Sequence, residues 1–292
     1  MRNKFQFRAI ILSVFTLAML LILTACGNTE DEGAKSSNGN KEKASATVWD
    51  KVIENKEIVV ATSGTLYPAS YHDSDTEELT GYEVEIMREI GKRLELDIRF
   101  VEMGLDGMLT SLNSGQVDLA VNDIEITPER EAKFTFSDPY KYSFGTAIVR
   151  KADHSGIESL EDLKGKKAAG AATSVYMQVG RDYGVEEVIY DNVTNDVYLR
   201  DVDLKRTDVI LNDYYLQKLA LAAFPEFEIM IHPTIKYHPN VQAIIMKKDN
   251  DELLKQVNTV LADLHADGTI STLSKEFFGG EDVSVEQAFD FE

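Results

Sequence analysis

Apolar and polar residues follow two alternating patterns through most of this chain. Short β-rich runs at Glu57–Thr62, Asp97–Val101 and Val117–Val121 predict strands. Between them, Gly81–Leu96 and Leu105–Ser114 place their apolar residues on one helical stripe, which predicts two amphipathic helices. Strands that alternate with helices of these lengths favour a parallel α/β sheet. Ligands of such sheets bind outside the carboxyl ends of the strands.

The later part of the chain repeats this alternation. Phe144–Arg150 predicts a strand that crosses into a second lobe, and Val241–Met246 predicts the strand that returns. Within the second lobe, strands are predicted at Glu187–Tyr190 and Thr207–Leu211. The remaining amphipathic stretches predict helices at Asp196–Leu204, Tyr214–Ala223 and Glu252–Ala266.

The segment 122–140, which reads NDIEITPEREAKFTFSDPY, directly follows one predicted strand. Thr127 and Pro128 open a helix that carries Arg130. A guanidinium offers a planar fork of donors that fits a carboxylate with two hydrogen bonds. Pro139 is expected to force the chain out of regular structure. We interpret the segment as delivering an arginine to a cleft; the alternative is a surface arginine at the start of a charged helix.

Two further strand ends carry polar groups. The run 168–176, AAGAATSVY, predicts a strand followed by a helix with Thr173 or Ser174 as N-cap. The free backbone N–H groups of such a helix start can bind an anion, although an ordinary capped helix has the same pattern. A second predicted strand ends at Asn212 and Asp213, where the carboxylate could equally cap the following helix.

The first 26 residues have the pattern of an export signal. Arg2, Lys4 and Arg8 precede the uncharged, largely apolar run Ala9–Ala25, which is shorter than the roughly 20 residues of a bilayer span. The run ends at a lone cysteine, Cys26, in a pattern that resembles a lipobox. We therefore expect a signal peptide over 1–25, a lipid-modified Cys26 and a polar, flexible tether over 26–50. An ordinary signal peptide and a retained membrane helix are the alternatives.

Composition narrows the classes of function. The formal net charge of −20 disfavours nucleic acid and anionic lipid headgroups as partners. A single cysteine excludes an internal disulfide and a cysteine-based metal site, and the five histidines show no metal-ligand spacing. We expect no metal and no cofactor.

From Val59 to Gly280 the motifs resemble, in order, those of extracellular solute-binding proteins of family 3, the amino-acid-binding components of ABC importers. The resemblance rests on ITPER and FSDPY around Arg130, LEDLKGKK, TDVILND and the terminal DGTISTLSKEFFG. It implies an α/β, type II periplasmic-binding-protein fold, with two lobes joined by a two-strand hinge around a ligand cleft. The expected lobes are 51–145 with 241–292, and 146–240.

The same resemblance implies roles for individual residues. Asp213 is expected to bind the ligand's ammonium. Leu66 stands where the family has a tyrosine, so Tyr67 or Tyr71 would supply the aromatic wall, and Thr173 replaces a usual glycine. The carboxylate site is assigned to Arg130, Asp123, Glu125, Thr173 and Ser174, and the side-chain pocket to Leu66, Tyr67, Tyr71, Leu105, Asn122 and Ala171.

The asparagine at position 122 resembles the pattern of the cystine-binding branch of this family. Asp123 and Glu125 add negative charge, which would suit a second ammonium, so a polar amino acid that is cystine-like or basic is expected. The implied protein is a monomer, not an enzyme, anchored by lipid on the extracytoplasmic face of the membrane, where it delivers its ligand to an ABC permease. Two alternatives are an enzyme like cyclohexadienyl dehydratase, with Glu125 or Asp123 as acid or base, and an anchored amino-acid sensor.

Overall fold

Two long antiparallel strands run through the centre of the main sheet. The computed structural model describes residues 47–286. In it β7 (Phe134–Arg150) pairs with β11 (Ile229–Lys247) from Phe134 opposite Lys247 to Arg150 opposite Ile229. The predicted signal peptide and the predicted lipid-modified Cys26 lie outside the described residues.

On either side of these two strands lies a group of three parallel strands. The eight-stranded order is β5-β1-β6-β11-β7-β10-β8-β9, so β1, β5 and β6 form a first half and β8, β9 and β10 a second half. The sheet is therefore mixed, because β7 and β11 are antiparallel to their neighbours. The strands of the two halves are β1 Glu57–Thr62, β5 Asp97–Glu102, β6 Leu119–Ala120, β8 Lys167–Gly170, β9 Glu186–Ile189 and β10 Val209–Asp213.

The segment between β1 and the first helix that follows it contains a small antiparallel sheet of its own. Its strands are β2 Thr65–Leu66, β3 Ser70–His72 and β4 Leu79–Thr80, in the order β2-β3-β4. Gly81 follows them with φ +127°, and a Cβ there would lie 2.4 Å from the carbonyl oxygen of Ala69. Only glycine allows this close approach, which turns the chain directly into the next helix.

Helices pack against the sheet, and four of the nine described helices begin at a side-chain cap. Thr47, Thr127, Ser174 and Asp213 each accept a hydrogen bond from a backbone N–H in the first turn of the helix that follows. The described helices are α1 Val48–Asn55, α2 Tyr82–Leu94, α3 Leu105–Ser114, α4 Pro128–Glu131, α5 Val175–Asp182, α6 Asn195–Asp203, α7 Tyr214–Ala223, α8 Asp251–Ala266 and α9 Thr269–Phe277, with 3₁₀ turns at His154–Gly156 and Leu160–Leu163.

Apolar side chains form clusters on both faces of each half. In the first half, Ile58, Met87 and Leu261 belong to the cluster under α2 and α8, while Met108 and Ile245 belong to the cluster under α3. The second half has two separate clusters of its own. Each half therefore has a core that holds its strand ends in place.

The expectation that Pro139 ends regular structure is wrong, because β7 continues through it. Pro139 pairs with Ala243 at a point where the register shifts on both sides, so its missing N–H interrupts no regular ladder. Pro233 and Pro239 lie in β11 beside similar irregularities. Bulges in the two long strands thus accommodate all three prolines.

At its start the described chain is already helical. Thr47 and Asp50 form a capping box, in which Oγ1 of Thr47 accepts from the N–H of Asp50 at 3.1 Å and Oδ2 of Asp50 accepts from the N–H of Thr47 at 2.9 Å. The tether boundary expected at residue 50 therefore lies inside α1. Among residues 47–286, no helix is long and apolar enough to cross a membrane.

Candidate functional site

A cavity of about 150 Å³ lies where the carboxyl ends of the parallel strands of the two halves face each other. Residues that directly follow or end these strands line it: Ser63 after β1, Gly104 near β5, Asn122 after β6, Ala171 after β8, Tyr190 after β9 and Asn212 in β10. A cavity of that size holds a small organic molecule rather than a single water. The location agrees with the strand-end rule that the sequence pattern suggested.

Arg130 reaches this cavity from α4 and is 8% exposed. Its Nη1 donates to the carbonyl of Glu125 at 3.0 Å, and its Nη2 donates to the carbonyl of Thr173 at 3.2 Å. Burial lowers the pKa of Arg130, with the Glu125 carboxylate opposing the change. Within residues 47–286 no carboxylate forms an ion pair with this guanidinium. Three of its five N–H donors are therefore open to an anion.

Several residues assigned to the site from the sequence line the cavity. Asn122 contributes a buried Oδ1 that has no hydrogen-bond partner among the described residues. Ser174 caps α5, where its hydroxyl accepts from the N–H of Met177 at 3.0 Å. The assigned residues in the lining are Leu66, Leu105, Asn122, Asp123, Arg130, Ala171 and Ser174.

Other assigned residues lie close by but outside the lining. The Glu125 carboxylate is buried and ion-paired to Nε2 of His238, and the Thr173 hydroxyl donates to Asp106. Tyr67 and Tyr71 pack against each other edge to face, with ring centroids 4.8 Å apart. These placements do not test the roles assigned to the residues, which stay predictions.

Asp213 also lies behind the cavity wall, and both of its carboxylate oxygens are engaged. Oδ1 accepts from the N–H of Leu216 at 2.9 Å, so Asp213 is the N-cap of α7. Oδ2 lies 2.6 Å from Nζ of Lys141. The helix-cap alternative considered from the sequence therefore describes one of its two oxygens.

Lys141, on β7, is the centre of a buried charge cluster that sequence reasoning missed. Its side chain is 1% exposed, and Nζ lies 2.6 Å from an oxygen of Asp123 and 2.6 Å from an oxygen of Asp213. Glu83 is the third buried acid, and it accepts from the N–H of Asp123 at 2.7 Å and from the hydroxyl of Tyr140. One lysine therefore faces two carboxylates directly, with a third in the same network.

Burial changes the protonation of this cluster. It raises the pKa of Asp123 to about 8, against the effect of Lys141, and it also raises the pKa of Glu83. Burial alone would lower the pKa of Lys141, but Asp123 and Asp213 together raise it above its ordinary value. The cluster therefore holds a charged lysine, and burial shifts the equilibria of Asp123 and Glu83 toward their protonated forms.

Hydrogen bonds join the two halves around the cavity. Oγ1 of Thr65 donates to Oδ1 of Asn192 at 3.1 Å, and Nδ2 of Asn195 donates to the carbonyl of Tyr67 at 3.3 Å. The Arg130 contact with the Thr173 carbonyl and the Asp106 contact with the Thr173 hydroxyl span the same gap. The two halves are thus closed on each other.

The second half adds wall residues that the sequence did not single out. Tyr176, Tyr190 and Tyr198 line the cavity together with Asn192 and Asn195. Tyr190 directly follows the strand β9, and a residue after the end of a parallel strand is a candidate for the wall. The sequence carries no comparable signal for the other four wall residues, Tyr176, Tyr198, Asn192 and Asn195. Aromatic faces with hydroxyl groups suit a ligand that has both apolar and polar parts.

A possible metal cluster lies away from the cavity. Ligand atoms of His154, Glu158 and His232 are within 4.8 Å of one another. However, Nε2 of His232 donates to the carbonyl of Ile157 at 3.1 Å, and Nδ1 accepts from the N–H of Ile235 at 3.1 Å. Because both nitrogens of His232 are used, this group does not form a metal site in this conformation.

Comparison with known proteins identifies the family to which this chain is similar. Residues 58–280 match the family described as bacterial extracellular solute-binding proteins, family 3. The chain is 58% identical over 286 residues to the probable ABC transporter extracellular-binding protein YckB of Bacillus subtilis, covering 97% of this chain and 96% of YckB. A crystal structure of YckB from Bacillus subtilis superposes with a TM-score of 0.67 at 63% identity, over 83% of this chain and 97% of that chain.

Two further relatives carry ligand names. The L-cystine-binding protein TcyA of Bacillus subtilis is 33% identical over 277 residues, covering 94% of this chain and 98% of TcyA. The structure of an ancestral arginine-binding protein bound to arginine gives a TM-score of 0.70 at 28% identity, over 77% of this chain and 99% of that chain. These relatives are binding proteins and not enzymes, as the sequence predicted for this chain.

The expected fold class is confirmed. The chain has the type II periplasmic-binding-protein fold, with two α/β lobes joined by two strands around a cleft. A match over residues 58–280 spans most of the chain, and the first relatives are matched over nearly their whole length. The chain therefore belongs to the bacterial extracellular solute-binding proteins of family 3.

Proposed function

We propose that this protein is the lipid-anchored substrate-binding component of an ABC importer, and that it binds a polar amino acid of the cystine type. The ligand occupies the cavity between the lobes, which are 51–145 with 241–292, and 146–240. The two long strands β7 and β11 act as the hinge. Binding favours the closed form, and the permease of the importer recognises that form and receives the ligand.

The observation that carries this proposal is the buried, unpaired guanidinium of Arg130 at a cavity built from both halves. A buried cation needs an anionic partner, and an amino-acid carboxylate fits its open donors with two hydrogen bonds. The free N–H groups at the start of α5, beside Ser174, supply a second source of positive potential. Both features suit a carboxylate held where the lobes meet.

The ligand's ammonium belongs at the acidic end of the cavity. Asp123 lines the wall there, Asp213 lies behind it, and Oδ1 of Asn122 offers an acceptor without a partner. A cystine-like ligand is supported by the 33% identity to the L-cystine-binding protein TcyA. Extracellular location follows from the family, and we infer that Cys26 carries the lipid that retains the protein at the membrane.

A ligand screen by thermal unfolding tests the binding function. The purified protein is heated with each of the twenty amino acids and with L-cystine in turn. At about 100 times its Kd, a ligand of the folded state stabilises by about 2.7 kcal/mol, which gives a clear rise in Tm. We expect the largest rise with L-cystine or another polar amino acid. A screen in which no amino acid raises Tm would contradict the proposed function.

The anchor is tested separately. Metabolic labelling with a palmitate analogue should label the protein in membranes, and Cys26→Ser should remove the label and release the protein into the medium. Cleavage without any label would indicate an ordinary signal peptide.

The sensor alternative is tested by uptake of cystine into cells. Deleting the gene of a sensor would leave cystine uptake unchanged, whereas deleting the gene of an importer component would lower it.

A further inference from the structure

A cation that belongs to the protein lies behind the wall at the acidic end of the cavity, where it pairs with the lining residue Asp123. Nζ of Lys141 lies 2.6 Å from Asp123, which follows β6 of the first half, and 2.6 Å from Asp213, which ends β10 of the second half. Lys141 itself is on the hinge strand β7 and is 1% exposed. The ammonium therefore bridges the two halves from inside the hinge.

Lys141 and His238 therefore pair with carboxylates that the sequence analysis had assigned to the ligand. Asp123 and Asp213 share the ammonium of Lys141, and the Glu125 carboxylate is paired to His238 outside the cavity lining. The charge argument for a basic ligand, which rested on Asp123 and Glu125, therefore loses its support.

The opposite end of the cavity has positive charge to spare. The guanidinium of Arg130 donates to two backbone carbonyls, and no ion pair engages it within the described residues. Lys141 offsets part of the charge of Asp123 and Asp213 without help from any ligand, and Arg130 stays available to the ligand's carboxylate. Burial also raises the pKa of Asp123 to about 8, which lowers the negative charge further. A ligand with a net positive charge would meet Asp123 already paired to Lys141, and the other carboxylate of the lining, Asp191, lies at the lip beside Gly104.

We propose that Lys141 is the specificity-determining residue of this cavity: an internal counter-ion that admits amino acids with no net charge and rejects those with a cationic side chain. This inference rests on the proposed function, because it concerns the ligand class of the same site. L-Cystine and L-glutamine carry no net charge and belong to the admitted class. L-Arginine and L-lysine belong to the rejected class.

Calorimetric titration of the wild-type protein gives the first test. L-Cystine and L-glutamine are compared with L-arginine and L-lysine at the same pH and ionic strength. We expect the tightest neutral ligand to bind at least about tenfold more tightly than either basic amino acid, because a juxtaposed like charge weakens binding strongly. Wild-type protein that binds L-arginine or L-lysine as tightly as any neutral amino acid would overturn the inference while the proposed function stands.

Substitution of the lysine gives the second test. Lys141→Met removes the internal cation and leaves Asp123 and Asp213 for a ligand, so the ratio of L-lysine or L-arginine affinity to that for the best neutral ligand should rise at least about tenfold. Lys236→Met makes the same charge change at an exposed position of β11 and should leave the ratio unchanged. An unchanged ratio in Lys141→Met would count against the inference, because a purely structural lysine would weaken all ligands alike.

Removing Lys141 leaves two buried carboxylates side by side, which can prevent folding. The double variant Lys141→Met with Asp123→Asn keeps one carboxylate, Asp213, and avoids that repulsion. Because Asp213 then has no internal ammonium, the ligand order should change in the same direction as in Lys141→Met, by a smaller amount, again by calorimetry. If the double variant folds and still prefers the neutral amino acids by the wild-type ratio, the inference is wrong. If the wild-type protein binds no amino acid at all, the proposed function fails and this inference fails with it.

Discussion

Arg130 donates from Nη2 to the backbone carbonyl of Thr173 at 3.2 Å, and this hydrogen bond links the first half of the molecule to the second. The same guanidinium lines the cavity between the halves. A ligand carboxylate bound to Arg130 would therefore add to a contact that already spans the gap. We therefore expect ligand binding and closure of the halves to be coupled through this one side chain.

Loss of this guanidinium should remove most of the affinity. Removing one partner of a buried charged pair costs about 2–5 kcal/mol, so Arg130→Ala should bind the ligand roughly 30- to 5,000-fold more weakly in calorimetric titrations. Arg130→Lys should recover only part of the loss, because an ammonium lacks the planar fork. Arg88→Ala, at an exposed position on α2, is the matched control. Full affinity in Arg130→Ala would exclude the proposed carboxylate site.

The lip of the cavity leaves no room for a methyl group at Gly104. A Cβ on Gly104 would lie 1.9 Å from Oδ1 of Asp191 on the opposite half. Gly104→Ala should therefore force Asp191 aside and weaken ligand binding by about 1 kcal/mol, or roughly fivefold. A Cβ on Gly107, in the helix that follows, would meet Met103 at an ordinary 3.5 Å.

Gly107→Ala is for that reason the control, and it should bind the ligand with wild-type affinity. Both variants are measured by calorimetry, with Tm recorded to show that folding is intact. Equal affinities in Gly104→Ala and Gly107→Ala would mean that the halves do not close as tightly in the ligand complex as they do here.

Asp123 should make stability depend on pH. Its pKa is about 8 in the folded protein because of burial, whereas an aspartate in an unfolded chain has a pKa of about 3.9. The folded protein therefore holds a proton that the unfolded chain releases, so the stabilisation is complete below about pH 4 and is lost as the pH rises through about 8. One such proton changes the unfolding free energy by up to about 1.4 kcal/mol per pH unit.

Asp123→Asn should flatten this dependence. The unfolding free energy of wild-type and variant is measured in urea between about pH 5 and pH 8, and the difference between the two slopes isolates Asp123 from other groups such as Glu83. Parallel slopes would show that Asp123 is ionised throughout this range in the folded protein.

His238 gives an independent pH effect. Its hydrogen bond to Glu125 raises its pKa, with partial burial opposing the change. The stabilisation from this pair is present below the ordinary histidine pKa of about 6.5 and is lost as the pH rises through the raised folded value. An NMR titration of the imidazole should give a midpoint above about 6.5. His238 has φ +53°, which asparagine tolerates, so His238→Asn is a suitable variant and should remove this part of the pH dependence. A midpoint at or below about 6.5 would contradict the ion pair.

Local signals in the sequence predicted much of the secondary structure. The helix predictions at Leu105–Ser114 and Tyr214–Ala223 and the strand prediction at Glu57–Thr62 match the observed elements residue for residue. These segments have clear apolar periodicity, and Asp213 provides a side-chain cap at the start of α7. Where the apolar pattern and a helix cap agree, the sequence alone predicts where the element begins and ends.

Contacts between residues that are far apart in the sequence could not be predicted from these local patterns. Lys141 is buried because it meets Asp123, 18 residues away, and Asp213, 72 residues away, and nothing in its local sequence indicates either contact. The continuation of β7 through Pro139 was missed for a similar reason, since it depends on a bulge in the pairing with β11. Strand pairing between distant segments therefore decides features that local rules cannot.

The central claim is that one small molecule binds between the two halves with its carboxylate on Arg130. A crystal structure of the protein with the amino acid that raises Tm most tests this directly. We expect a ligand carboxylate at about 2.7–2.9 Å from the guanidinium nitrogens of Arg130, enclosed by residues of both halves. A ligand bound elsewhere, or bound in this cavity with its carboxylate away from Arg130, would contradict the account.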